Sequence, residues 1–252
     1  ALQADEVTFT AVNSDERWDK IHFYHNSRDD LSYMDNCIFE YSNGGVYANG
    51  SSPTITNSIF RDNTLGIEGD LGASPIITGN TFTNNGTPVW VYGRGIDGNI
   101  TDNTYFDNVD ESGQSSDFIY VLGSGSQERL HENKTYDWLA DGAPYLITGD
   151  LEVWEEGDNN QVATLKIHPG AVVAFAQDKE IVIGYSNNGS AGALQADEVT
   201  FTALNSDERW DRIYFHDFSR DDLSYMDNCI LEYSNGGVYA DNSSPTITNS
   251  IF

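Results

Sequence analysis

Large apolar residues recur along this chain at a nearly fixed step, and between them polar and apolar positions alternate. Ile55-Thr-Asn-Ser-Ile-Phe60-Arg-Asp-Asn63 is followed one step on by Ile77-Thr-Gly-Asn-Thr-Phe82-Thr-Asn-Asn85, and after nearly the same interval by Ile100-Thr-Asp-Asn-Thr-Tyr105-Phe-Asp-Asn108. Upstream, Tyr33-Met-Asp-Asn-Cys-Ile38 keeps the same step, and Ser52-Pro53 and Ser74-Pro75 mark turns at it. Each unit therefore predicts a short strand, a large apolar residue near its end and an Asn- and Gly-rich bend. Further short strands are predicted at Val7-Thr-Phe9, Ile21 to Phe23, Ile76-Ile77, Val172 to Phe175 and Ile181 to Ile183, all too short for helices and rich in β-branched or aromatic residues. A unit of this length, roughly 22 residues, cannot bury its own apolar face, so the units must stack into a solenoid.

A longer period contains the shorter one. Residues 1–60 return as residues 193–252, with nine differences: Val12/Leu204, Lys20/Arg212, His22/Tyr214, Tyr24/His216, His25/Asp217, Asn26/Phe218, Phe39/Leu231, Asn49/Asp241 and Gly50/Asn242. The expected organisation is one full long repeat over 1–192 and the start of the next over 193–252, in one continuous solenoid. Coils of roughly 22 residues would put eight or nine in each long repeat, an advance of about 40 Å at the ~4.8 Å strand spacing. A repeat broken at both ends suggests a window from a longer tandem array, with Ala1 and Phe252 as cut faces that want another coil.

The chain resembles the right-handed parallel β-helix superfamily, in particular repeat-rich secreted and cell-surface proteins of archaea and bacteria. The likeness rests on Trp18-Asp-Lys-Ile21-His-Phe23, on the Ser-Pro-x-Ile-Thr-x-x-x-Phe units at Pro53 and Pro75, and on Ala163-Thr-Leu-Lys-Ile-His-Pro169-Gly170-Ala-Val-Val-Ala-Phe175. It implies an all-β fold and an extracellular or cell-surface location. It does not select among lyases, hydrolases, adhesins and passive stalks, which share the fold.

Charge narrows the partners. A formal net charge of −28, with only 12 Lys and Arg, argues against nucleic acid and anionic membranes. No apolar stretch approaches membrane-spanning length. Cys37 and Cys229 hold equivalent places in the two copies, too far apart along a rod to bridge. The expectation is a small buried thiol on a strand from Asp35 to Phe39, with lateral cross-linking of rods as the alternative.

Asn63, Asn85 and Asn108 fall in register, where inward side chains can bond the backbone above and below and form a ladder. Sequons begin at Asn49, Asn85, Asn99, Asn133, Asn188 and Asn242. Glycosylation is expected at Asn49, Asn133, Asn188 and Asn242, which fall in predicted loops, and not at Asn85 if it fills the ladder.

Acidic groups are the remaining chemistry. Arg28-Asp29-Asp30, returning as Arg220-Asp221-Asp222, is similar to the adjacent carboxylates of polygalacturonase-type hydrolases. The companion Asn-Thr-Asp, Gly-His-Gly and Arg-x-Lys motifs of those enzymes are absent, and the scattered basic residues do not suggest a lyase base. No catalytic residue is assigned. Structural calcium is a candidate at Asp29 with Asp30 and at Asp107 with Asp110 and Glu111; Glu155, Glu156 and Asp158 form a third acidic group. None of these matches an EF-hand or a calcium-binding nonapeptide.

His22 and His25 are not kept in the second copy, so a metal or catalytic role is not expected of them. Residues 22–26, where four differences crowd, read either as a tolerant surface loop or as a variable recognition patch. Tyr24, Trp90, Tyr92 and Trp138 are candidate exposed rings for stacking on sugars; the alternative is that they join buried aromatic stacks, which β-helices also form. Residues 109–161 depart from the regular step and predict an excursion, with strands at Phe118 to Val121 and Tyr145 to Ile147 and a loop from Asp137 to Gly142. The functional expectation is a structural or adhesive rod whose partners are neighbouring copies of itself, end to end or side by side, and surface glycans; a polysaccharide-binding or polysaccharide-degrading β-helix is the alternative.

Overall fold

A computed structural model describes residues 1–13, 15–123, 129–156, 161–185 and 189–252. The chain divides into two compact units, residues 1–120 with 141–143, and residues 121–140 with 144–252. The junction between the long repeats does not mark this division, because Gly192–Asp197 runs through it as a single strand of the second unit.

The first unit is a three-faced parallel coil. One face stacks Gln3–Asp5, Tyr33–Asp35, Thr54–Thr56, Ile76–Thr78 and Ile100–Thr101. The second stacks Thr8–Phe9, Ile38–Glu40, Ile59–Arg61, Thr81–Thr83 and Thr104–Phe106. The third carries Ile21–Tyr24, Val46–Asn49, Leu65–Asp70 and Thr87–Tyr92. Gln3 lies opposite Tyr33, Tyr33 opposite Thr54, Thr54 opposite Ile76 and Ile77 opposite Ile100. The first coil is therefore the longest, and those that follow keep nearly one length.

Alternation decides what enters the core. Met34, Ile55, Ile77 and Ile100 form one inner row, while Val46, Ile67 and Val89 form another. On the second face Phe9, Phe39, Phe60, Phe82 and Tyr105 stack ring on ring, with centroids 5.0, 4.5, 5.1 and 5.1 Å apart. The last three are the large apolar residues that set the repeat in the sequence.

Two left-handed bends turn each of the shorter coils. Asn36, Asn57, Gly79 and Asp102 make the first, with φ of 51°, 50°, 69° and 58°. Tyr41, Asp62, Asn84 and Asp107 make the second, with φ of 57°, 57°, 54° and 58°. Asn and Asp tolerate this region better than most side chains, which accounts for the Asn- and Asp-rich bends.

The second unit repeats the three-faced plan with longer coils. Its faces are Thr135–Trp138, Ala163–Ile167, Gly192–Asp197, Tyr225–Asp227 and Thr246–Thr248; then Tyr145–Ile147, Val172–Phe175, Thr200–Ala203 and Ile230–Leu231; then Leu151–Val153, Ile181–Ile183, Trp210–Phe215 and Ser234–Ala240. Thr135 pairs with Thr164, Ala163 with Gly192, Gln195 with Tyr225 and Tyr225 with Thr246. All but the last of these steps exceed the regular step of the first unit. The short coil read from the sequence is thus a local property, and eight or nine coils per long repeat is too many. Longer corner loops leave the strand pairing intact, because only the strands meet their neighbours.

The predicted loop from Asp137 to Gly142 begins later than expected, since Asp137 and Trp138 end a strand. The predicted excursion starts as an antiparallel turn in which Val109 bridges Ser115. No α-helix occurs among the described residues, and none of their helices is long and apolar enough to cross a membrane.

Candidate functional site

The residues just after the two bends of each coil are buried polar groups, and they form two ladders in the first unit. Asn63 donates from its backbone N and its Nδ2 to Oδ1 of Asn85, at 3.1 and 3.0 Å. Asn85 does the same to Asn108, at 2.9 and 3.0 Å. The series starts at Ser42, whose N and Oγ donate to Asn63 Oδ1, and ends at Asp117 Oδ1, which accepts from Asn108 N and Nδ2 at 3.0 and 2.7 Å. The amides of Asn63, Asn85 and Asn108 also reach the carbonyls of Phe39, Phe60 and Phe82.

The sequence reading missed the second ladder. Cys37 N donates to Ser58 Oγ, Ser58 N to Asn80 Oδ1, and Asn80 N and Nδ2 to Asn103 Oδ1. Asp141 closes it, accepting from Asn103 N at 2.9 Å and Nδ2 at 3.0 Å. Asn80 and Asn103 keep the same step as Asn85 and Asn108, so the signal was present in the sequence.

Cys37 is therefore the first rung of a ladder, in the bend between two strands rather than on a strand. It is buried, and that burial pushes its thiol pKa up. Cys229 is likewise buried and free, with its thiol raised by burial.

The acidic candidates sit in separate turns. Asp29 and Asp30 open a short 3-10 turn, Asp29–Leu31. Arg28 grips Asp30 through Nε and Nη2 at 2.9 and 2.7 Å, and this contact holds the Asp30 carboxyl below the usual range. Asp29 instead accepts from Ser51 Oγ at 2.5 Å. The second copy rebuilds the arrangement, with Arg220 on Asp222 and Ser243 on Asp221. The two carboxylates of each turn thus have different partners.

Asp110 Oδ1 accepts from Ser112 N, Ser112 Oγ and Gln114 N, which lowers its pKa, the Ser112 side chain contributing most. Asp110 and Glu111 line an open depression of about 350 Å³ with Thr64, Gly86, Thr87 and Ser112. Asp107 occupies a left-handed bend and is exposed. Among the described residues, no three His, Cys, Asp or Glu side chains come together as a metal-binding group. Of the third acidic group, Glu155 stands 4.0 Å from His131 and Glu156 3.4 Å from Arg129. Asp158 lies outside the described residues.

The sequons divide as well. Asn133 is exposed, although its Oδ1 accepts from Val162 N, and Asn242 lies at a bend. Asn49 corrects its loop assignment: it ends the strand Val46–Asn49 and donates through Nδ2 to Tyr47 Oη. Asn85 is fully buried in its ladder. Asn188 lies outside the described residues.

Trp138, expected to be exposed, is fully buried and packs near Tyr145. The other three candidate rings face outward on the third face of the first unit: Tyr24 is 57% exposed, and Trp90 and Tyr92 are half-buried. His22 and Tyr24 belong to the strand Ile21–Tyr24, so the variable stretch is partly sheet rather than loop.

This geometry, parallel strands in three faces around stacked rings and polar ladders, defines a β-helix. Residues 2–163 match the family model described as "Right handed beta helix region", and the chain belongs to that family. No curated protein and no solved structure matches the chain.

Proposed function

We propose that this chain is a non-catalytic segment of a long, repetitive extracellular or cell-surface rod. The observation that carries the reading is how the interior is used. In the first unit both polar ladders, the stacked aromatic rings and the paired strands all join each coil to the next.

Inside the first unit each ring of that stack is covered by the next: Phe60 is fully buried beneath Phe82, and Phe82 beneath Tyr105. The carboxylates of Asp29 and Asp30 add no support for hydrolysis, since one is held by arginine and the other by serine.

Electron microscopy of negatively stained native material tests the proposal. At roughly 26 residues per coil, one long repeat makes about seven coils, or ~34 Å of axis at the β spacing. Threads with an axial period near that value are the expected result, and isolated globular particles would overturn it. Cleavage of uronic-acid polymers, abolished by Asp29→Asn with Asp30→Asn, would replace it with the polysaccharide-degrading reading.

A further inference from the structure

Sequence differences between the two copies concentrate on the third face of each unit. Of the nine, seven fall on or beside strands of the third face or on the turns that follow them: Lys20/Arg212, His22/Tyr214, Tyr24/His216, His25/Asp217, Asn26/Phe218, Asn49/Asp241 and Gly50/Asn242. The changes at Lys20, His22 and Tyr24 keep a common chemistry. Lys20 becomes another cation, and the adjacent rings His22 and Tyr24 exchange places as Tyr214 and His216. Two changes, His25/Asp217 and Asn49/Asp241, add carboxylates.

Each copy places a cation over an outward tyrosine, beside a carboxylate. Lys20 Nζ lies 4.3 Å from the centroid of Tyr47 and 3.3 Å from Glu68 Oε2. Arg212 lies 5.1 and 5.4 Å from the rings of Tyr214 and Tyr239, with Glu180 Oε2 2.9 Å from its Nε. Different residues thus rebuild one motif of ring, cation and acid.

One more ring of this kind stands in the first unit. Across the third face His22 pairs with Tyr47, Tyr47 with Glu68 and Glu68 with Trp90, so Glu68 has a ring on each side. Lys20 occupies the Tyr47 side. On the other side, Trp90 is half-buried against Tyr92, with centroids 5.8 Å apart, and among the described residues no cation lies over it.

We propose that this outward face docks an extended partner segment bearing lysine or arginine side chains, with one cation seated over Trp90 beside Glu68. The occupant follows from charge. The chain carries 40 Asp and Glu against 12 Lys and Arg, and its own Lys20 and Arg212 show how a cation sits on this surface. A neutral glycan would use the rings but gain nothing from the chain's excess of carboxylates. The proposal does not depend on the rod reading.

Titration calorimetry with an amidated (Lys-Gly)₃ peptide, run beside neutral maltohexaose, tests it. Trp90→Leu removes the ring and leaves the charge unchanged, and a solvent-facing leucine fits the strand. Circular dichroism confirms that the variant is folded. The expected result is saturable peptide binding that Trp90→Leu weakens about fivefold, within the range of one cation–π contact. Asp102→Asn, which removes a carboxylate from the bend between the first and second faces, should weaken binding less than twofold. Absence of peptide binding, equal weakening by both changes, or binding of maltohexaose in place of the peptide would each overturn the proposal.

Discussion

Asn85 passes its side-chain amide to the side-chain carbonyl of Asn108 at 3.0 Å, while its own carbonyl takes the amide of Asn63. Each asparagine is donor and acceptor at once, so a buried polar row runs through the first unit with its groups paired. A buried amide without partners costs about 1–3 kcal/mol. The ladder therefore selects asparagine at each rung more narrowly than packing alone would.

Asn85→Ala is expected to lower unfolding free energy by about 3 kcal/mol or more, because it strands donors on Asn63 and the carbonyl of Phe60 together. Urea denaturation measures the loss. A change below about 1 kcal/mol would show that water replaces the side chain without penalty.

Asp117 and Asp141 end their ladders by accepting from the backbone N and Nδ2 of Asn108 and Asn103. An asparagine oxygen can take both donors, so Asp117→Asn should stay within about 1 kcal/mol of the parent, whereas Asp117→Ala should lose about 2–3 kcal/mol. Thermal unfolding of the two variants separates the contribution of the acceptor from that of the charge.

Cys37 shares its register with Ser58, Asn80 and Asn103, which suggests that a hydroxyl fits the site. Cys37→Ser should therefore be nearly neutral in stability. In the parent, burial and a raised pKa keep the thiol protonated, so a thiol reagent at neutral pH should react with Cys37 only as fast as the protein opens. Immediate stoichiometric labelling of the folded protein would contradict this.

Asp35 accepts from Thr56 Oγ1 at 2.7 Å and Asn57 Nδ2 at 2.8 Å, and these bonds hold its carboxyl below the usual range, the threonine contributing most. Asp227 has the same partners in the second copy, Thr248 and Asn249. A depressed folded pKa contributes stability that is present above the unfolded value, about 4, and fades as pH falls through the folded one. The difference in melting temperature between the parent and Asp35→Asn/Asp227→Asn should hold steady from neutral pH to about 5 and narrow below about 4. A gap that widens on acidification would reverse the sign and refute the assignment.

The stacked rings tolerate shape changes unequally. Phe39 stands where the second copy has Leu231, so Phe39→Leu is expected to cost less than about 1.5 kcal/mol. Phe82→Ala, between Phe60 and Tyr105, removes a ring with neighbours on both sides and should cost about 3–5 kcal/mol. Equal losses from the two changes would show that the row is not a continuous packed stack.

Much of this was legible in the letters for a local reason. In a coil, each residue meets its counterpart one coil on, so the near-constant step from Ile55 to Asn108 states the contacts directly. The parallel pairing, the Phe60, Phe82 and Tyr105 stack and the Asn63, Asn85 and Asn108 ladder follow from it. Where loops lengthen, as between Thr135 and Thr164, strand pairing survives but the step does not, and the coil count cannot be read from it. Trp138 misleads for a related reason: its strand reads as loop, and an aromatic residue in a supposed loop reads as exposed.

The sequence by itself determined the coil, because alternation and period are written along the chain. Tertiary structure alone decided which groups close the ladders. Asp117 and Asp141 reach their asparagines from positions outside the repeat step. Those partners depend on where loops of unequal length return the chain, a property of its path in space that no local pattern encodes.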